Sequence, residues 1–196
     1  MLSSVEACAL RPRHASFDGA QDDTPCCLFK TISLHFTYNY VKTYTFTFEQ
    51  NLPIPLAEAW QFFSSPLNLA KITPPQMKFY VTSDYKADSK IYPGMVITYK
   101  VSPLFGIKLN WMTEITHVKD QEYFVDEQRV GPYAIWHHEH HFETIKGGVK
   151  MIDKLTYAIP YGILGRLGNK ILVGKEIKKI FIYREKAIND LFGVYK

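Results

Sequence analysis

The chain has 196 residues, of which 46% are apolar and 21% charged, a balance that supports one folded domain with a real core and excludes a disordered chain. No segment approaches the run of about 18 apolar residues that a membrane-spanning helix requires, so an integral helical membrane protein is excluded and membrane contact is expected to be peripheral at most. The net charge of +4 arises mainly at the end of the chain, where residues 163–196 carry eight Lys and Arg against three Asp and Glu; with no zinc-finger, RNP or helix-turn-helix pattern, this reads as a solvated helix face, and no nucleic-acid partner is expected.

Residues 1–42 show neither strand nor helix periodicity up to about Phe29 and include the polar run from Asp18 to Pro25. Glu6 interrupts the only early apolar stretch, so the segment does not read as a signal peptide. It is expected to be a flexible extension, or to precede the true start of translation, for instance at Val41, because pattern begins abruptly at Thr43. All three cysteines, Cys8, Cys26 and Cys27, lie here. An odd count, an adjacent pair and no cysteine elsewhere argue against a disulfide framework or a cysteine-based zinc site and point to a reducing, cytoplasmic setting.

From residue 43 the pattern is regular. Thr43, Thr45 and Thr47 alternate with Tyr44, Phe46 and Phe48, which predicts a half-buried strand over 43–50 with its aromatic side inward. Pro53 and Pro55 end it. A short helix is expected over 56–63 with Pro55 near its first turn, and a second over 65–71, stopped by Pro74 and Pro75. Strands are expected over 78–83, 95–101, 107–118, 122–130, 134–145 and 149–159, separated by turn residues such as Pro93-Gly94, Lys119-Asp120 and Gly147-Gly148. Connections this short imply an antiparallel meander. From residue 163 the period becomes helical: Leu164, Leu167, Ile171, Gly174, Ile177, Phe181, Arg184, Ile188 and Leu191 fall at steps of three and four. A helix over 163–194 spans roughly 48 Å. The expected fold is α+β, with residues 43–196 as one domain: a curved antiparallel sheet of about seven strands wrapped on a long C-terminal helix, with two short helices after the first strand. A sheet of that size does not close tightly on one helix, and the gap is a cavity.

The order of elements and several segments resemble the START and birch-pollen-allergen-like superfamily, the helix-grip fold also called SRPBCC. The carrying segments are the run from Leu52 to Phe63 (LPIPLAEAWQFF), the run from Pro66 to Pro74, Phe124-Val-Asp-Glu-Gln128, the run from Gly131 to Phe142 (GPYAIWHHEHHF), Met151-Ile-Asp153 and the run from Pro160 to Gly165. The resemblance implies a hydrophobic pocket for a lipid, polyketide, quinone or similar molecule. It implies no single reaction, because polyketide cyclases, lipid carriers and quinone-binding proteins share the fold.

Strand parity assigns the faces. Met151, Asp153, Leu155, Tyr157 and Ile159 are expected inward on the last strand, because Lys154 and Thr156 suit solvent. On the strand before it, Trp136, His138, His140 and Phe142 are expected inward and His137, Glu139, His141 and Glu143 outward, since burying two Glu costs more than burying two partnered neutral His. On the strand at 122–130 apolarity does not decide the face; the resemblance favours Phe124, Asp126 and Gln128 inside. Ile107, Leu109, Trp111, Thr113 and Ile115 complete the wall. The expected ligand-binding set is therefore Trp111, Phe124, Asp126, Gln128, Trp136, His138, His140, Phe142, Met151, Asp153 and Tyr157, with Gly174 widening the pocket from the helix. Trp60, Phe62 and Phe63 read as core, and Gly162, Gly165 and Gly168 as residues that shape the helix entry, since no Gly-Lys-Ser/Thr ending follows them.

His138 and His140 admit three roles. At i and i+2 on a strand they have the separation of metal ligands, with Asp126 or Asp153 as a third. Held by an Asp, either is a candidate acid/base catalyst for an aldol-type cyclisation or dehydration. Each also satisfies a purely structural hydrogen bond across the sheet, and that is the expectation adopted here. No metal and no cofactor are expected, and the residues say nothing of the oligomeric state. The function expected is binding of a small hydrophobic or amphipathic molecule. The alternatives are a polyketide cyclase/dehydrase-like enzyme using His138 or His140 with Asp126 or Asp153, and lipid transfer in which the basic helix and the loop at 102–106 touch a membrane.

Overall fold

The computed structural model describes residues 41–86, 89–103 and 106–196. The expectations for the extension, apart from Val41 and Lys42, and for the tip of the loop at 102–106 lie outside the described residues.

Strand β1 (Thr43–Leu52) exposes its threonines and half-buries Tyr44, Phe46 and Phe48, the alternation that its sequence dictates. Helix α1 (Leu56–Phe63) follows with Pro55 at its N-cap, and a 3₁₀ helix (Pro66–Ile72) starts on Pro66. A further 3₁₀ turn (Pro75–Met77), which was not expected, follows before a short strand β2 (Tyr80–Val81). The remaining strands are β3 (Met95–Val101), β4 (Leu109–Lys119), β5 (Tyr123–Val130), β6 (Ile135–Ile145) and β7 (Gly148–Ala158). They form one antiparallel sheet in the order β1-β7-β6-β5-β4-β3-β2. The meander is as the short turns require, and β1 closes onto β7. Ladder irregularities between β4 and β5, at Met112/Thr113 and at Ile115/His117, bend the sheet where it curls.

The C-terminal helix departs from the expected stripe over its first turns. It comprises α2 (Gly162–Gly168), a π-helical segment (Asn169–Val173) and α3 (Gly174–Phe192). The buried positions are Gly165, Asn169, Ile177, Phe181 and Ile188, whereas Leu164, Leu167 and Ile171 are 77%, 56% and 59% exposed. Leu191 is exposed as well. Steps of four sustained from Gly165 through Asn169 to Ile177 outrun a 3.6-residue turn; the wider π turn, with Gly174 N–H donating to Asn169 O, absorbs the excess. Gly165 allows the close approach at the helix entry, since a Cβ there collides with the Pro160 carbonyl oxygen.

The core has two parts. One gathers Leu52, Ala59, Ile72, Met95, Ile97, Ile115, Phe124, Phe142, Val149, Met151 and Ile188, with Trp60 from α1 packed edge-on against Phe124 and Phe142. The other joins Leu155 and Tyr157 to Ile177 and Phe181, with Phe48 stacked on Phe181 at 3.9 Å. Among the described residues no helix is long and apolar enough to cross a membrane.

Candidate functional site

Between the two parts of the core, the concave face of the sheet and α3 leave a cavity of about 170 Å³, comparable to cavities that hold a benzene-sized molecule. Its walls are overwhelmingly apolar, from Ile72, Ile97, Ile115, Trp111, Trp136 and Phe181 among others. A second hollow of about 280 Å³ shares Met77, Pro103 and Ile180 with it, so these three residues stand where the two spaces meet.

The structure brings most of the expected site residues to this cavity. Trp111, Phe124, Asp126, Trp136, His138, His140 and Met151 line it. The other members of the set are placed differently. Gln128 turns to the loop after β5, where its Nε2 donates to Tyr133 O at 2.7 Å and its Oε1 accepts from Tyr133 N–H at 3.3 Å. Phe142 is core, against Trp60 and Phe63. Tyr157 is fully buried beneath the π turn and donates to Asn169 Oδ1 at 2.7 Å. Gly174 lies over that pair, 3.5 Å from the Tyr157 hydroxyl when a Cβ is added, and does not widen the cavity. Ile107 is exposed and forms no wall. Asp153 stands behind the two histidines. Phe62 and Phe63 touch the cavity as well as the core.

Sequence reasoning placed Thr113 in the wall and missed two polar contributors, Tyr99 and Arg184. Tyr99 and Thr113 are joined by a 2.7 Å hydrogen bond, and Trp111 Nε1 donates to the same Thr113 hydroxyl at 3.0 Å, so this side of the cavity is satisfied internally. Burial pushes the Tyr99 phenol well above its ordinary range. Arg184 lines the cavity, stacks its guanidinium 4.9 Å from the Phe181 ring centroid, and its buried Nε has no hydrogen-bond partner among the described residues. Its signal was available, since a charge on an apolar helix stripe demands a reason.

The polar end is a ring of four side chains on neighbouring strands. Register sets His138 opposite Asp126 on β5 and His140 opposite Asp153 on β7. Asp126 Oδ2 lies 2.9 Å from His140 Nε2 and 3.5 Å from His138 Nδ1; Asp153 Oδ1 lies 2.7 Å from His140 Nδ1 and 3.0 Å from His138 Nε2. The rings are 3.9 Å apart. The His140 Nε2–Asp126 contact is a hydrogen bond of good geometry; the Asp153 contacts are short ion-pair contacts, and among the described residues His138 Nε2, His140 Nδ1 and Asp153 Oδ1 make no hydrogen bond of comparable geometry. Burial opposes charge on all four groups, and the outcome differs by group. The carboxylates, with their hydrogen bond and oppositely charged neighbours, raise the His140 imidazole to about 9. Burial and the charge of His140 hold His138 below its ordinary value. Burial raises both carboxyls, but the imidazoles outweigh it and keep Asp126 and Asp153 below theirs. Asp126, His138 and His140 each offer a ligand atom, all within 4.8 Å of one another, and could hold a metal ion.

No protein-family model and no curated protein matches the chain. Solved structures do. The protein Ms6760 from Mycobacterium smegmatis is 18% identical, with 75% of this chain and 92% of that one covered at a TM-score of 0.53. Ara h 8.0201 is 15% identical over 76% of this chain and 99% of its own, at 0.52. The major latex-like protein 151 of Panax ginseng is 11% identical over 76% and 97%, at 0.56. These likenesses, all at 18% identity or less, show the fold alone: it is the helix-grip fold.

Proposed function

We propose that the protein binds a small, largely apolar molecule, of about one or two rings, in the cavity between sheet and α3. The observation that carries this reading is the cavity itself, apolar on most of its wall with Asp126, His138, His140 and Arg184 converging on it. Arg184 Nε, buried without a partner, suits a ligand oxygen such as a carbonyl, phenolate or carboxylate. The cytoplasm, where Cys8, Cys26 and Cys27 remain reduced, is the proposed location.

Titration of the full chain with 1-naphthol, read as quenching of Trp111 and Trp136 emission, tests this. Saturable quenching at one equivalent is expected, with affinity reduced at least tenfold in Ile180→Trp, which obstructs the junction of the two hollows. Quenching that is unsaturable or indifferent to Ile180→Trp contradicts it.

A second reading is favoured by one specific observation, two adjacent imidazoles 3.9 Å apart on the wall of the same cavity, of which burial holds His138 down while the neighbouring carboxylates hold His140 up. A neutral His138 accepts a proton from an activated C–H of a bound poly-ketone while the imidazolium of His140 donates one to the departing oxygen, a polyketide cyclase/dehydrase-like role. Loss of turnover in His138→Gln with ligand affinity retained supports it.

A further inference from the structure

The ring of Asp126, His138, Asp153 and His140 carries more than hydrogen bonding. Asp126, His138 and His140 line the cavity and offer ligand atoms all within 4.8 Å of one another, with Asp126 Oδ2 at 2.9 Å from His140 Nε2 and 3.5 Å from His138 Nδ1. Ligand atoms about 2.1 Å from a shared ion stand roughly 2.9–3.5 Å apart around an octahedron or tetrahedron. The opposite nitrogens, His138 Nε2 and His140 Nδ1, both face the single oxygen Asp153 Oδ1, at 3.0 and 2.7 Å. A carboxylate in charge contact with the outer nitrogens of both imidazoles stands where the partner that orients metal-bound histidines stands. A divalent ion between two imidazoles also balances the charge of two buried carboxylates.

We propose that Asp126, His138 and His140 bind a first-row divalent transition-metal ion on the wall of the cavity, with Asp153 as the positioning residue for both imidazoles. Two imidazoles and one carboxylate select such an ion over Mg²⁺ or Ca²⁺, and a three-ligand site leaves coordination positions open toward the cavity. The site holds whichever molecule fills the cavity, so it stands independently of the ligand reading. While the ion is bound the two histidines have no acid/base role, because each places a lone pair on it, so that role belongs to the metal-free protein alone.

The test is a Co²⁺ titration of the full chain, stripped with EDTA, followed by visible absorption near neutral pH. One equivalent is expected to give d–d bands that excess Zn²⁺ abolishes and Mg²⁺ leaves unchanged. Asp126→Asn should weaken binding at least tenfold, and Asp153→Asn by about 10–100-fold with the bands still obtained at saturation. His137→Ala/His141→Ala, which removes the outward-facing histidines of the same strand, should change nothing. No bands at millimolar Co²⁺, or bands lost in His137→Ala/His141→Ala, overturn the proposal. Where Asp126→Asn fails to fold, X-ray absorption at the bound Co²⁺ of the unaltered chain decides: two imidazoles support the site, and any other number overturns it.

Discussion

Asp153 is buried against two histidines, so removing it leaves His140 buried with one carboxylate fewer. Asp153→Ala should destabilise the protein by about 3–5 kcal/mol, the cost of breaking a buried charged pair, as read by urea denaturation; a change below 1 kcal/mol would show that the ring is not a coupled unit. The metal-free protein should also respond to pH at both ends. His140 has its folded pKa raised to about 9, so its contribution is complete below the ordinary histidine value and is lost as pH rises through 9. Asp126 and Asp153 are depressed, so theirs is present above the ordinary carboxylate value and lost as pH falls through the folded values; His138, also depressed, adds to the loss on the acid side. Melting temperatures in EDTA should therefore fall toward acid and toward pH 10, and a rise between pH 8 and 10 would contradict the raised His140. Parity made the inward pairing of Trp136, His138 and His140 legible in the sequence. It did not tell that Gln128, on the same face as Asp126, turns to the Tyr133 backbone, because the loop after β5 sets that bond and periodicity carries no information about it.

Helix periodicity was legible in α3 and misleading before it. From Ile177 the expected and buried positions coincide at Ile177, Phe181 and Ile188, whereas upstream the π turn rotates the buried face onto Gly165 and Asn169, small and polar residues that hydropathy overlooks. The consequence is measurable. Phe181→Ala, which removes the ring stacked on Phe48, should cost about 3–5 kcal/mol, while Leu167→Ser should stay within about 0.5 kcal/mol because that side chain is already in water. Comparable losses at both positions would mean that the first turns of the helix are packed. Gly174→Leu bears on the same segment: its side chain meets Tyr157 and Asn169 rather than the cavity, so it should destabilise by about 1–3 kcal/mol with naphthol affinity unchanged. Intact stability with lost affinity would return Gly174 to the cavity wall.

For the molecule as a whole, the strands β3 to β7 and their order were legible because antiparallel neighbours joined by short turns leave few alternatives, and Pro and Gly mark those turns; the place of β1 beside β7 was not, since no short turn joins them. The cavity was legible only as a consequence of that geometry, since no residue pattern encodes an empty volume. Its polar end depends on register between β5, β6 and β7, which the sequence constrains by parity alone. The fold places a basic guanidinium, two carboxylates and two imidazoles against walls otherwise built of Ile, Trp and Phe, an arrangement whose desolvation cost is justified by an occupant. The most direct measurement is native mass spectrometry of the freshly purified full chain, with organic extraction of whatever accompanies it and a parallel incubation with 1-naphthol. The account predicts one small apolar molecule per chain, either co-purified or taken up from the incubation. A chain that remains empty in both contradicts the claim that this cavity is a binding site.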